Sequence, residues 1–424
     1  MTPFFKKLLT TNWLMLATII GLWVFGLHAI RIAVESNPSE AIQNTWRSQM
    51  HYGLVGIAVY LGVSMVDYRW LRWVAAPAYL VSVGLLVAAL LFGQEINNTK
   101  GWLAIGGFKF QPSQLAIAGC VVAASVTFSE LRKLHPFFKN HFLNLTLLGV
   151  LTGIPFLLVL LQGDVGSALV WIPVAAAIGI VARIPFRHLV MVALLALIAI
   201  PPFYFFALND ARRSRIEVFL AMAQDKPVDI RNEGYSAHNI SMAVGSGGWS
   251  GFENNATKAT EAEQVLDPAL RESRIDERLT SVHEQGLISL NAAHSDFIFA
   301  VIAERYGFVG STLLILAFAL LLLQILVTAF WSRDAIGRIL CAAVALLLFA
   351  HVFQNIGMTL LIMPITGIPL PFISHGGTFL LTLFGLLGLV QSVWVHRDIE
   401  PDDKEAAERE RLIRKTRSRL HPEL

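Results

Sequence analysis

The sequence predicts an all-α polytopic membrane protein with about ten transmembrane helices, both termini cytoplasmic, and one long extracytoplasmic loop between the seventh and eighth spans. Three observations carry that prediction. The chain is 55% hydrophobic and only 15% charged, with a mean hydropathy of +0.59, too apolar for a soluble chain of 424 residues. Its apolar residues gather into runs of membrane-spanning length. Its lysines and arginines favour every second connection between those runs.

A helix crossing a hydrocarbon core about 30 Å thick needs about 20 apolar residues. The qualifying runs cover 13–30, 52–66, 73–93, 111–129, 142–163, 165–182, 188–208, 306–332, 339–363 and 376–395. The second is the shortest and turns back through Asp67-Tyr68-Arg69. The first follows Lys6 and Lys7, as a secretory signal would, but it is longer than a signal core and has no small-x-small cleavage site. A retained first span is the expectation. Arg69, Arg72, Arg132, Lys133, Lys139, Arg183, Arg187, Arg333 and Arg338 fall on the same set of connections as Lys6, Lys7 and the basic tail, which places that set in the cytoplasm. The expected organisation is one membrane domain over 1–396 and a charged cytoplasmic tail over 397–424.

Composition also excludes functions. The net charge is +3, and basic residues are scattered, which gives no footprint for nucleic acid. Cys120 and Cys341 lie inside apolar runs and read as small buried hydrophobes. There is no CxxC, HExxH or Walker-type loop, so no metal site and no ATP hydrolysis are expected. The sequence calls for no cofactor and leaves a divalent cation such as magnesium open.

The unusual polar material is on the outer side. The connection over 97–114 contains Lys100, Trp102 and Phe110-Gln111-Pro112-Ser113. The connection over 209–295 is about 90 residues long, and loops of that length are functional or disordered. It opens with Arg212-Arg213-Ser214-Arg215 and carries Gly245-Ser246-Gly247-Gly248-Trp249. Leu266, Leu270, Ile275, Leu279 and Val282 then recur at loosely helical spacing, which predicts an amphipathic outer helix. The segment 363–377 holds Pro364, Pro369 and Pro371, which break a helix by removing backbone donors. Irregular backbone at membrane depth needs protein or a wet cavity around it, so this segment is expected to line something.

Asp296 stands where the long loop meets the apolar run that follows it. An acid there either caps a helix N-terminus or marks a functional site. Asp164 sits in the turn between the fifth and sixth spans and is expected to orient a helix end or a basic partner, Arg215 or Lys100. Glu304 follows on the helix that Asp296 is expected to begin, and reads as a structural partner of Arg305. His351, Gln354 and Asn355 share the ninth span and are expected to satisfy one another or nearby backbone.

Spread along the chain, these motifs resemble the SEDS family of polytopic peptidoglycan polymerases. The carrying pieces are Trp102-Leu103 with Phe110-Gln111-Pro112-Ser113, the turn Gln162-Gly163-Asp164-Val165-Gly166-Ser167, the element Gly245-Ser246-Gly247-Gly248, and His294-Ser295-Asp296-Phe297-Ile298-Phe299. Asn355-Ile356-Gly357-Met358 and the stretch from Met363 to Gly377 complete the set and look more like the elongation type, RodA, than the division type, FtsW. The resemblance implies an inverting glycosyltransferase that polymerises lipid II at the outer face of the bacterial cytoplasmic membrane. Its partners would be a class B penicillin-binding protein and other membrane proteins of the elongation complex.

In such a reaction a sugar hydroxyl attacks an anomeric carbon and undecaprenyl pyrophosphate leaves. The hydroxyl needs a proton acceptor, and a carboxylate is the usual one. The resemblance assigns that role to Asp296. The pyrophosphate needs cations rather than an acid, and Lys100, Arg212 and Arg215 are the outer candidates, against a rim touching lipid headgroups. Trp102 either stacks on sugar or anchors at the interface. Ser374 and His375 are further candidate substrate contacts, and Asp164, Glu304, Gln354 and Asn355 supporting polar groups.

The chain also departs from the family. Gln114 and Ile117 stand where the family has a Glu and a Lys, so both members of an ion pair are missing together. Asn291-Ala292-Ala293 replaces Leu-Pro-Glu, His375 replaces a Tyr, and the long loop is enlarged near 254–290, as a lid or a docking surface. The competing readings are a lipid-linked precursor flippase or transporter and an inactive scaffold for a penicillin-binding protein.

Overall fold

The computed structural model describes residues 10–35, 37–96, 99–106, 108–134, 140–206, 208, 210–224, 226, 229, 234–252 and 292–397. The enlarged stretch 254–290, with its expected amphipathic helix, and the tail beyond Arg397 lie outside them.

Among the described residues, twelve principal helices follow in order: α1 Trp13–Glu35, α2 Thr45–Met65, α3 Leu71–Phe92, α4 Pro112–Leu134, α5 His141–Leu161, α6 Val165–Val181, α7 Phe186–Phe206, α8 Asp210–Ala223, α9 Tyr235–Ser246, α10 Ile298–Trp331, α11 Ala335–Thr359 and α12 Gly377–Val395. Every apolar run read from the sequence is a helix. Among the described residues, eight helices are long and apolar enough to cross a membrane. The other two runs are α6, with 17 residues, and α2, whose first turns carry Arg47, Ser48, Gln49 and His51. The chain is a multi-pass membrane protein.

α11 is the central post. It is buried along nearly its whole length, from Ile336 to Thr359, and packs on α4, α6 and α10. α12 lies along α2, α3 along α4, and α10 along α1. Lipid tails are as apolar as leucine, so this packing is held by close contact and hydrogen bonds rather than by hydrophobic exclusion from water. α7 is the exception: its apolar window, Phe186–Phe205, has no buried residue.

Two connections are more ordered than the sequence suggested. The outer stretch between α3 and α4 forms a three-stranded antiparallel sheet of β1 Gln94–Ile96, β2 Thr99–Ile105 and β3 Phe108–Phe110. β2 is the middle strand, with Gln94 opposite Trp102 and Leu103 opposite Phe110. The long loop after α7 contains α8 and α9, so the Arg212 cluster is helical rather than looped.

α10 is two helices joined at Gly307, whose φ of 64° and ψ of −159° break the helical ladder. The amides freed by the break are taken up from outside: Phe308 N–H bonds the Gly248 carbonyl at 2.8 Å and Val309 N–H the Trp249 carbonyl at 3.2 Å. The Gly-Ser-Gly-Gly element is therefore a backbone collar around the break. A Cβ at Gly247 would collide with the Ala303 carbonyl, which accounts for the glycine.

Candidate active site at the outer end of the bundle

Asp296 lies in a turn over 292–297, organised around one carbonyl. The amides of Ser295 and Phe297 both bond the Ala292 oxygen at 3.1 Å. The helix begins only at Ile298, its N-cap is Phe297, and no side chain caps it. Asp296 is thus not a helix cap. Nor does it begin the span: the segment Ile298–Tyr306 ends at the Gly307 break, and Ile298 through Glu304 are all buried.

The proline-rich segment 360–376 closes over this turn. Ile368, Leu370, Phe372, Ile373 and Ser374 are buried, and side chains supply the hydrogen bonds that an irregular buried backbone requires. Asn355 Nδ2 donates to the Asp296 carbonyl at 2.8 Å and to the Ile368 carbonyl at 2.7 Å. Ser374 Oγ accepts the Leu370 amide at 2.8 Å and donates to the Ser295 carbonyl. The His375 amide bonds the His294 carbonyl at 3.0 Å. Gly367, with φ of 70°, brings backbone against the carboxylate: a Cβ there would lie 3.3 Å from Asp296 Oδ2. The expectation that the segment lines something is met by Asp296 itself.

Ser374 is 2% exposed, and its hydroxyl is engaged on both sides within the protein. It holds the loop to the Asp296 turn rather than presenting itself to a ligand. The imidazoles of His294 and His375 face each other with ring centres 5.7 Å apart. Burial first, then the neighbouring His294, push the His375 imidazole down to about 4, so it is neutral at physiological pH.

Asp164 stands on the neighbouring turn. α5 ends in a Schellman motif, with the Asp164 amide on the Val159 carbonyl and the Gly163 amide on the Leu160 carbonyl. Asp164 then caps α6 by accepting the Ser167 amide at 2.9 Å. Its other oxygen accepts from Gln111 Nε2 at 2.8 Å. The Arg212 charge is among those that act on the Asp164 carboxyl. Burial raises the Asp164 carboxyl, against the Ser167 and Gln111 hydrogen bonds and the Arg212 charge. α6 approaches the proline segment at Gly166, where a Cβ would meet the Thr366 carbonyl, so one loop backs both acids.

α8 sorts its arginines by helical spacing. Arg213 turns back to donate to the carbonyls of Tyr204 and Phe205 at 3.1 and 2.7 Å and fixes the corner between α7 and α8. Arg212 and Arg215 are three apart on one side of α8; the Arg212 charge lowers the Asp164 carboxyl and the Arg215 charge lowers the Asp296 carboxyl. Arg215 is exposed and edges a small cavity of about 30 Å³ between α8, α9 and the Leu361–Ile365 backbone. Lys100 is exposed on β2, and its amide bonds the Gln162 carbonyl at 3.0 Å. Trp102 is half-buried on the same strand.

Glu304 is 2% exposed and accepts from Ser246 Oγ at 3.5 Å, which ties the collar to the upper half of α10. His351 bonds the Leu347 carbonyl at 2.9 Å, and Gln354 is buried beside Asn355 on α11. Gln114 and Ile117 are both buried on α4, at 4% and 3% exposed. Among the described residues no group of three or more His, Cys, Asp or Glu could hold a metal ion.

The electrostatics single out Asp296. The protein packed around it raises its carboxyl to about 6; the Ser295 hydroxyl and the Arg215 charge oppose the rise, and the Asp164 charge adds to it. A carboxylate with that affinity is ionised near neutral pH and accepts a proton readily, the property required of a general base. Gln111 and Gln49, neither of them a sequence candidate, also belong to the constellation. Gln111 was visible beside Pro112 at a helix start, whereas nothing local marked Gln49.

The fold and site define a multi-pass membrane protein with a desolvated carboxylate and a second acid at one end of the bundle, each within the field of an arginine. The profile of the FtsW/RodA/SpoVE family, described as cell cycle protein, matches residues 7–260 and 280–399, and the chain belongs to that family. The peptidoglycan glycosyltransferase MrdB of Escherichia coli K12 is 30% identical over 344 residues, 81% of this chain and 84% of that protein. The peptidoglycan glycosyltransferase RodA of Treponema pallidum is 25% identical over 426 residues, covering 90% and 97%. A probable peptidoglycan glycosyltransferase FtsW of Geobacter sulfurreducens is 29% identical over 345 residues, covering 81% and 83%. The fold is also that of Thermus thermophilus RodA, with a TM-score of 0.62, 24% identity and coverage of 92% and 98%. A chain from a peptidoglycan synthase complex, described as coordinating polymerization and crosslinking, gives a TM-score of 0.71 at 23% identity, with coverage of 92% and 99%.

Proposed function

We propose that this chain is a peptidoglycan glycosyltransferase of the elongation type, polymerising lipid II at the outer face of the cytoplasmic membrane with inversion at the anomeric carbon. The single observation that carries the reading is the Asp296 carboxyl, raised to about 6 and set against the backbone of Gly367 at one end of a membrane bundle. A lipid-anchored sugar reaches that place while its tail stays in the bilayer.

In the proposed step a hydroxyl of one sugar attacks the anomeric carbon of another lipid-linked chain. The new glycosidic bond forms as the bond to undecaprenyl pyrophosphate breaks. Asp296 takes the hydroxyl proton, and the pyrophosphate leaves as an anion. Arg215 and Arg212, with Lys100 at the rim, stabilise that anion, because a guanidinium matches phosphate oxygens with a planar fork. Trp102 and the neutral His375 contact sugar. Asp164, Glu304, Gln354 and Asn355 hold the surrounding elements. Both termini are cytoplasmic and residues 1–396 form one domain. The expected partners are a class B penicillin-binding protein, which crosslinks the product, and other elongation-complex membrane proteins.

Purified protein given labelled lipid II tests the reading. Glycan ladders that disappear in Asp296→Asn support it. Leaflet exchange without ladders means a transporter, and neither activity, with or without the penicillin-binding protein, means a scaffold.

A further inference from the structure

The Asp296 turn is held by a chain of hydrogen bonds that starts on the second helix, far away in sequence. Gln49 lies on α2 and is fully buried, at 0% exposed. A glutamine enclosed in a membrane bundle is costly unless both ends of its amide are used. Here both are used on the same stretch of irregular backbone. Gln49 Nε2 donates to the Ser374 carbonyl at 2.9 Å, and Gln49 Oε1 accepts the Gly376 amide at 3.2 Å. The Gln49 carbonyl also accepts from Trp23 Nε1 at 3.4 Å, tying α1 to the same point.

The backbone that Gln49 grips touches the residues just before Asp296. Ser374 Oγ reaches the Ser295 carbonyl, and the His375 amide reaches the His294 carbonyl. We infer that Gln49 is a positioning residue for Asp296, acting through Ser374. The inference rests on the proposed role of Asp296 as base. It deepens that role by naming what sets the height and rotation of the carboxylate. Asn355 fixes the same turn from the other side, on the Asp296 carbonyl. The turn is therefore clamped between α2 and α11, and removing one clamp lets it move. A misplacement of about 1 Å at a reacting group costs about 100-fold in rate.

The test uses full-length protein in detergent, labelled lipid II, and tryptophan-fluorescence melting to follow the fold. The variants are Gln49→Ala, Gln49→Met, Ser374→Ala and the Gln49→Ala/Ser374→Ala pair, with Asp296→Asn as control. Gln49→Ala is expected to lower kcat about 10- to 100-fold with KM within about twofold. Its acid limb should move down in pH as the loosened turn admits water to the carboxyl. Gln49→Met keeps the side chain's length and volume but removes both hydrogen bonds, so it should lower kcat as Gln49→Ala does while melting closer to wild type. Groups acting in series do not multiply, so the pair should be no worse than its more affected member by more than about twofold.

Wild-type kcat in Gln49→Ala, beside an inactive Asp296→Asn, overturns the inference and leaves the base assignment standing. So do losses at 49 and 374 that multiply, or a loss that tracks melting while the acid limb stays in place. An active Asp296→Asn overturns the base, and the inference with it. Where Gln49→Ala does not fold, Gln49→Met decides: lowered kcat supports the inference and wild-type kcat overturns it.

Discussion

Asp296 and Arg215 stand on supports of opposite character. The acid stands on the packed half of the molecule. Its turn is stitched to α11 by Asn355 and to the proline segment by Ser374, and each of those anchors is itself buried. The guanidinium stands on an arm. α8 continues from α7, whose apolar window has no buried residue, and α8 meets the bundle around a cavity of about 30 Å³. A base must be held to within a fraction of an ångström of the hydroxyl it serves. A cation serving a leaving pyrophosphate acts over a longer range and has to let its product go. The difference between the two supports matches the difference between the two tasks.

The comparison breaks first at Asp296. Asp296→Asn keeps the side chain's size and most of its hydrogen bonding but removes the proposed base. Polymerisation is expected to fall by about 100- to 10,000-fold, the range general-base catalysis contributes. Stability should move the other way. The folded carboxyl sits at about 6, above its ordinary value, so the folded protein holds that proton more tightly than the unfolded chain. Its destabilising effect is absent below the ordinary carboxylate range, grows as pH rises towards 6, and is complete above it. Asn carries none of that penalty. Asp296→Asn should therefore melt higher than wild type at pH 7.5, by roughly 1 kcal/mol after solvent screening, and at the same temperature at pH 4. A melting point unchanged at both pH values would mean the carboxylate is well solvated in the folded protein.

Arg215→Ala sharpens the comparison from the arm. Loss of the fork should lower kcat/KM about 10- to 100-fold, and Arg215→Lys should recover part of it. The pH profile gives an independent sign. The rate should fall below pH 6 as Asp296 protonates, about tenfold per unit. The Arg215 charge holds the Asp296 carboxyl down against the effect of burial, so its removal should move the acid limb to higher pH. A limb that stays in place would separate Arg215 from the base and leave it as a rim residue.

The two regions also differ in how far the sequence exposed them. Asp296 and Asp164 could be found because acids at the ends of apolar runs are conspicuous, and Pro364, Pro369 and Pro371 announced the segment that backs them. Gln49 could not be found, because a glutamine just ahead of the 52–66 run states that a partner is needed without saying where, and its partner lies 325 residues away. Arg212 and Arg215 were legible as charges but not as a helix face. Ile216, Val218, Phe219 and Met222 carry helical spacing, yet the short period was hidden within a connection read as loop. The sheet over β1 to β3 escaped because its outer strands are three residues each, too short for alternation to register.

The smallest expected effect on the chemistry lies deeper in the packed half, where the family's ion pair is replaced by Gln114 and Ile117. Both are buried on α4, and α4 packs on the central post, α11. Gln114→Glu alone would enclose a carboxylate with no cation beside it, which costs about 3–5 kcal/mol when a buried charge is stranded. Ile117→Lys alone would strand the opposite charge. The two together stand one helical turn apart and can pair, so the double variant should melt close to wild type while each single variant melts far below it. Polymerisation per folded molecule should stay within about twofold in all three, because neither position reaches the Asp296 turn by any hydrogen bond described above. A double variant that folds well yet polymerises poorly would give this buried face a part in moving the base, and the division between a fixed floor and a yielding arm would have to be redrawn.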